Sequence, residues 1–381
     1  MRNRTRIIIL AGTCLCLLAC FACQTHPESN TPPITETTES ENEQPLYVQS
    51  LEVNEIGVPY EKLSPKARVP WDLCLYQDYL YVGAGDYDAN LSPKVFQRYH
   101  TENGAWESCG KVYDEQIHRF IEIGDQLFVP GADPLGDWSK GNYYILQQDA
   151  FSLQRVIPNA IHTFDMIEFD GKLFVGNGVS AGKYPVEVSE VGSDSFTQVI
   201  FYKNDHALDT RAFTEIRVYD FFICNDTLYA FLTLDAERSV YRYENGAFVY
   251  DNLWTYKLVW VRDEIHVPIW AKVSHNNTVY LTTGLLYATN DLNTFTALDV
   301  GNTQRITDIL VYDDVVYALG YCKLDTGIYE NRIFRLSEQQ AVLVASFQNQ
   351  APAISFARDE STWYFGLSAP AAGCMISASI E

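Results

Sequence analysis

Ile167-Glu168-Phe169-Asp170-Gly171-Lys172-Leu173-Phe174-Val175-Gly176 reads as a strand, a two-residue polar turn, and a second strand that opens on an apolar residue followed by an aromatic. The phrase recurs along the chain. Copies centre on Leu80-Tyr81-Val82, Leu127-Phe128-Val129, Leu173-Phe174-Val175, Leu228-Tyr229-Ala230, Val279-Tyr280-Leu281, Val316-Tyr317-Ala318 and Trp363-Tyr364-Phe365, each with Tyr or Phe in one register. The turns before them are Gln77-Asp78, Gly124-Asp125, Asp170-Gly171, Asn225-Asp226, Asn276-Asn277, Asp313-Asp314 and Glu360-Ser361. Most are residues that tolerate the positive φ a tight hairpin demands. The marker aromatics lie 47, 46, 55, 51, 37 and 47 residues apart. Most copies are followed by a second hairpin, such as Val95 to Tyr99 with Trp106 to Val112, or Val240 to Tyr243 with Phe248 to Tyr250. Four strands per repeat of that length make a β-propeller blade.

The fold class expected is therefore all-β, a seven-bladed β-propeller of four-stranded antiparallel blades. The last copy, from Ala353 onward, has room for three strands. Leu46 to Val53 alternates like a strand and is expected to supply the fourth, closing the ring and removing its free sheet edges. Composition agrees: across 381 residues, 25 Tyr, 20 Phe and 7 Trp stand against 3 Met, a balance that favours strands. A net charge of -22 argues against nucleic acid and against electrostatic docking on anionic lipid, both of which need a basic surface.

Arg2, Arg4 and Arg6 precede an apolar run, Ile7 to Ala19, that is shorter than the roughly 20 residues of a membrane span, and the combination reads as a secretory signal. Its end, Leu17-Leu18-Ala19-Cys20, resembles the bacterial lipobox. That resemblance implies cleavage before Cys20 and acylation of its thiol, hence an extracytoplasmic, lipid-anchored protein of the bacterial cell envelope. Gln24 to Pro45 has the composition of a solvated tether and would span about 25 Å as a coil. The expected organisation is a signal peptide over 1–19, a lipidated Cys20 with its tether over 20–45, and the propeller over 46–381. Without the three signal arginines, 24 basic residues face 49 acidic ones. Cys23, Cys74, Cys109, Cys224, Cys322 and Cys374 show neither disulfide-scaffold density nor zinc spacing. Cys74 and Cys224 fall in strands, as buried inert thiols. The repeat pattern of residues 46–381 is similar to the broad kelch-like or galactose-oxidase-like propeller superfamily, although the paired Gly of kelch repeats is absent.

Nine residues before each marker aromatic the register reads Asp72, Arg119, Asp165, Asp220, Ala271, Asp308 and Ser355. These positions are expected at the mouth of the central channel. An Asp ring there either attracts a cation or hydroxyl-rich ligand or accepts hydrogen bonds from neighbouring inter-blade N–H groups. The longest loops between second and third strands are expected in the first three blades. Gly83 to Lys94 contains Asp86, Asp88 and Asn90, the first three oxygen positions of a calcium loop, but lacks the following Gly and the final Glu. Gly131 to Asn142 contains Asp133, Asp137 and Trp138. The connection between blades four and five adds Trp254, Trp260, Arg262, Asp263, Glu264, His266 and Trp270, a mixture used in sugar or peptide recognition and equally able to plug a core. His118 and His162 precede inner strands and read as acid-base candidates or as hydrogen-bonded structural residues. Thr289 to Phe295 is similar to the Asp-box turn of sialidases but is one residue short, with Asn for Gly and Phe for Trp.

No nucleophile elbow, phosphate loop, zinc helix or Cys-His pair occurs. The reading is a non-catalytic binding module for a glycan or protein partner, with Ca2+ as a possible cofactor. The alternative is a carbohydrate-active hydrolase or lyase using Asp72, Asp165, Asp220 or Asp308 with His118 or His162, since paired carboxylates are the minimum for glycoside chemistry.

Overall fold

The computed structural model describes residues 48–158, 160–235, 237–255, 271–291 and 294–380. They form a β-propeller. Among them, seven four-stranded antiparallel units follow one another. The first runs through Leu73–Tyr76, Tyr79–Val82, Val95–His100 and Trp106–Lys111. The units that follow open on the inner strands Ile121–Ile123, His162–Phe169, Glu215–Cys224, Ala271–His275, Arg305–Tyr312 and Ala353–Arg358.

The second strand of each blade is buried on both faces, so these strands are largely apolar instead of alternating with polar residues. Leu80 and Tyr81 are adjacent and both fully buried. Leu80 packs into the joint between the seventh and first blades, and Tyr81 into the joint between the first and second. Seven apolar clusters, one at each joint, hold the ring together. The marker aromatic of each repeat is one wedge in these joints.

The turns behave as their residues require. Asp170-Gly171, Asn225-Asp226, Asn276-Asn277 and Asp313-Asp314 have positive φ at both positions, the primed geometry that matches strand twist. Glu360-Ser361 does not. There Asp359 bends the chain, its carboxylate accepting from the amides of Ser361 and Thr362 at 2.8 and 2.7 Å.

The ring is closed by the N-terminal segment, with one correction. The fourth strand of the last blade is Val53–Gly57, antiparallel to Met375–Ser379, so it starts where the expected strand ends. Part of the expected strand serves a different sheet: Gln49–Ser50 lies parallel to the outer strand of blade six, Ala341–Asn349. Leu51, buried between these two blades, is the point of crossing. Of the cysteines, Cys224 is buried and Cys74 half-buried. Burial pushes the Cys224 thiol up to about 11 and Cys74 well above the ordinary range, which keeps both inert.

Candidate functional site

In four inner strands the pairing with the second strand slips by one residue at the same place: between Thr163 and Asp165, Val218 and Asp220, Ile306 and Asp308, and Ala353 and Ser355. A bulge of this kind re-aims a side chain; at Asp165 and Asp308 the bulged carboxylate meets an amide of the next blade, and Asp72, just ahead of an unbulged strand, does the same. Asp72 accepts from the Phe120 amide at 2.6 Å, Asp165 from Phe221 at 2.8 Å and Asp308 from Phe356 at 3.0 Å. Ser355 instead donates to the Pro70 carbonyl at 2.7 Å across the seventh joint. Three of the four aspartates thus join blade to blade, and the register lies within the inner strands except at Asp72 and Arg119, which stand just ahead of theirs; Asp165 and Asp220 are buried.

The expected acidic mouth also needs correction. Arg119 reaches Asp165 at 2.7 Å and Asp220 at 3.4 Å, and Lys272 reaches the same pair at 2.7 and 3.9 Å. These two carboxylates and two cations balance. Burial alone would raise Asp165, but Arg119 and Lys272 outweigh it and hold its carboxyl down at about 2. Around the ring the balance fails. Burial lifts Asp72 to about 6 against the Phe120 amide and Arg119, and burial together with the charge of Asp72 pushes Asp308 well above the carboxylate range. Lys272 was missed because it stands one position after the register residue, Ala271, in the one blade that has no carboxylate there.

Both histidines bond across the joint between blades two and three. His118 Nε2 lies 2.9 Å from the Phe164 carbonyl, and burial, then Arg119, lowers its pKa to about 4. It is a neutral donor tying blade two to blade three. His162 Nδ1 faces the Ala132 carbonyl at 3.1 Å and Asp133 at 3.4 Å, its ring stacked on Phe164.

At the end of the disc where second strands pass to third strands, the calcium expectation fails for a physical reason. Lys66 sits against both Asp86 and Asp88, at 3.2 and 3.5 Å, and supplies the positive charge itself. Asn90 lies with its side-chain amide against the Glu115 carboxylate, and only the orientation that turns the nitrogen to Glu115 satisfies both groups, which makes it a donor there and not a cation ligand. Among the described residues no group of three or more His, Cys, Asp or Glu converges as a metal needs. Glu115 is lifted to about 7 by burial, then by Asp133 and Asp114. The third long loop is short in fact: blade three breaks only from Ser180 to Val186.

The same end carries an apolar surface. Trp138 is 61% exposed, although its loop is held firmly: the indole N–H donates to the Pro134 carbonyl at 3.0 Å, and Arg155 pairs with Asp137 at 2.7 Å. Leu135 and Tyr113 are exposed beside it, linked by a backbone bond of 2.8 Å, and Leu91 is exposed on the loop of blade one. Only Trp138 of these four was singled out from sequence. The others sit in loops whose sequences do not separate a buried Leu from an exposed one. Trp254, by contrast, is a core plug, fully buried against Tyr229 and Phe222. Trp260, Arg262, Asp263, Glu264, His266 and Trp270 lie outside the described residues, as does Cys20.

Fold and site together define an all-β propeller whose loop face exposes Leu91, Tyr113, Leu135 and Trp138. No known family and no curated protein matches the sequence. Among solved structures the chain is similar to the RRP9 WD40 repeats (10% identity, TM-score 0.49, covering 88% of this chain and 100% of that one). It is similar also to U3-55K (9%, 0.48, 86% and 98%) and to a chain of the mitotic checkpoint complex (8%, 0.48, 93% and 99%).

Proposed function

We propose that the protein is a non-catalytic interaction module, held at a bacterial cell envelope by acylated Cys20, that binds a protein partner through the loop face of blades one and two. The observation that carries the reading is Trp138: an indole 61% exposed on a loop tied down at both ends. Exposed aromatics on rigid loops cost little ordering entropy on binding and dominate interface energies. Leu91, Tyr113 and Leu135 extend the patch with aliphatic and aromatic surface, which suits a polypeptide better than a glycan. The carboxylates needed by a hydrolase or lyase are engaged by backbone amides, Arg119 and Lys272, so that alternative has no free pair to build on. The lipobox supports the anchor, and the composition of residues 24–45 supports the tether.

Two experiments test this. Envelope proteins co-purified with the wild type are compared with those of Tyr113→Ala/Trp138→Ala; a partner reduced at least tenfold is expected, and an unchanged set overturns the face. Radiolabelled palmitate should enter the wild type and not Cys20→Ser, and the variant should leave the membrane fraction. Equal labelling of both removes Cys20 as the anchor.

A further inference from the structure

At the opposite end of the disc, where first strands turn into second strands, three rings surround one cation. The guanidinium carbon of Arg358 lies 4.5 Å from the Tyr312 ring centroid, 5.2 Å from Tyr317 and 4.5 Å from Trp363. Tyr312 ends the inner strand of blade six, Tyr317 stands on its second strand (Val315–Lys323), and Trp363 stands on the second strand of blade seven (Thr362–Leu367). Trp363 is fixed from behind by Phe356 and edge-on by Tyr317, at 5.9 and 5.3 Å between centroids. The cage is therefore preorganised by two blades.

What fills it is weakly held. Among the described residues the guanidinium makes one hydrogen bond, Nε to the Asp359 carbonyl at 3.3 Å, and no ion pair. Asp359, the adjacent carboxylate, is committed to its turn through Ser361, Thr362 and the Tyr364 hydroxyl. Other ring-stacked arginines differ. Arg98 over Tyr79 is pinned by Glu107 at 2.8 Å, and Arg217 over Phe164 and Tyr219 pairs with Glu215. Arg358 is only half-buried, as are Tyr312 and Tyr317, so its side chain has a route out to water.

We propose that Tyr312, Tyr317 and Trp363 form a binding site for a quaternary ammonium group, with Arg358 as its displaceable plug. Three π-faces attract a cation, and the charges of Glu360, Asp313 and Asp359 near Tyr312 add to that field while none of these carboxylates pairs with the guanidinium. A cation with no N–H groups asks no acceptor of the rings and leaves the Asp359 carbonyl to water, whereas a primary ammonium would surrender hydration for which the rings give no acceptor.

Calorimetric titration with tetramethylammonium chloride against ammonium chloride, at fixed ionic strength, tests the site. Tetramethylammonium should bind the wild type in preference to ammonium, bind Arg358→Ala at least fivefold more tightly, and bind Tyr312→Leu/Arg358→Ala undetectably. A folded Arg358→Ala that does not prefer tetramethylammonium, or binding that survives Tyr312→Leu, overturns the proposal. Should Arg358→Ala fail to fold, the wild type decides: binding abolished by Tyr312→Leu sustains the site, and no binding overturns it. Choline and phosphatidylcholine vesicles in parallel arms separate a free solute from a lipid headgroup.

Discussion

Glu187 is a carboxylate with almost nothing to hold it. It is 1% exposed and neither oxygen has a hydrogen-bond partner among the described residues. It stands opposite Val175, which packs in the joint between blades two and three. Burial, only partly offset by Lys183, lifts its pKa to about 8. The folded protein thus keeps a proton that the unfolded chain releases near pH 4.5, so this group's contribution to stability falls as pH rises from about 4.5 to 8. Urea unfolding should show a loss on the order of a few kcal/mol across that window, and Glu187→Gln should flatten it; an unchanged slope in the variant would refute the assignment. The ring aspartates give a second prediction. Asp308, pushed up by burial and Asp72, loses little as an amide, so Asp308→Asn should barely shift the melting temperature at pH 7. Asp165→Asn strips the partner from Arg119 and Lys272 and should cost about 3 kcal/mol. Equal shifts would sink the distinction. Neither behaviour is legible in sequence: Val186-Glu187-Val188 reads as an ordinary alternating strand, and only the neighbouring blade makes its polar member buried.

The elements differ in strength more than their repeats do. Blade six is built from strands of 8, 9, 8 and 9 residues, blade five from 5, 5, 4 and 2. Blade five also lacks the bulge and the carboxylate, since Ala271 holds the register position. Fewer ladder bonds and no inter-blade acceptor predict local opening here first. In hydrogen exchange, amides of 271–289 should lose protection well before those of 305–349; the reverse order would show that the joints, not the ladders, set local stability. Much of this scale was readable in advance. The Asp-Gly and Asn-Asn turns encode positive φ directly, and the marker aromatics fix the second strand of every blade. The bulges were not readable, because a one-residue slip leaves the composition of the strand unchanged, and the slip decides that Asp165 points at Phe221 and not into a ligand.

For the whole molecule, the repeat announced a ring and the ring is there, but the seam was placed a few residues early because Leu46 to Val53 and Val53 to Gly57 have similar patterns. The loop face was legible only through Trp138, since exposure of Leu91, Tyr113 and Leu135 depends on how three connections settle against one another. Removing residues up to Gly57 should leave Met375–Ser379 as a bare edge. Light scattering should then find a larger species than the untruncated chain gives, and an unchanged oligomeric state would mean the edge is protected by other means.

The seam also sets a timetable. Val53 pairs with Ala378, so the strand Val53–Gly57 must stay unpartnered until Met375–Ser379 has been made. Six blades can assemble as the chain emerges, while the seventh waits for its two ends to meet, and loop-closure entropy falls on that one late step. Losing Met375–Ser379 would therefore leave Val53–Gly57 without a partner as well, so the seventh blade forms only when both of its distant segments are present.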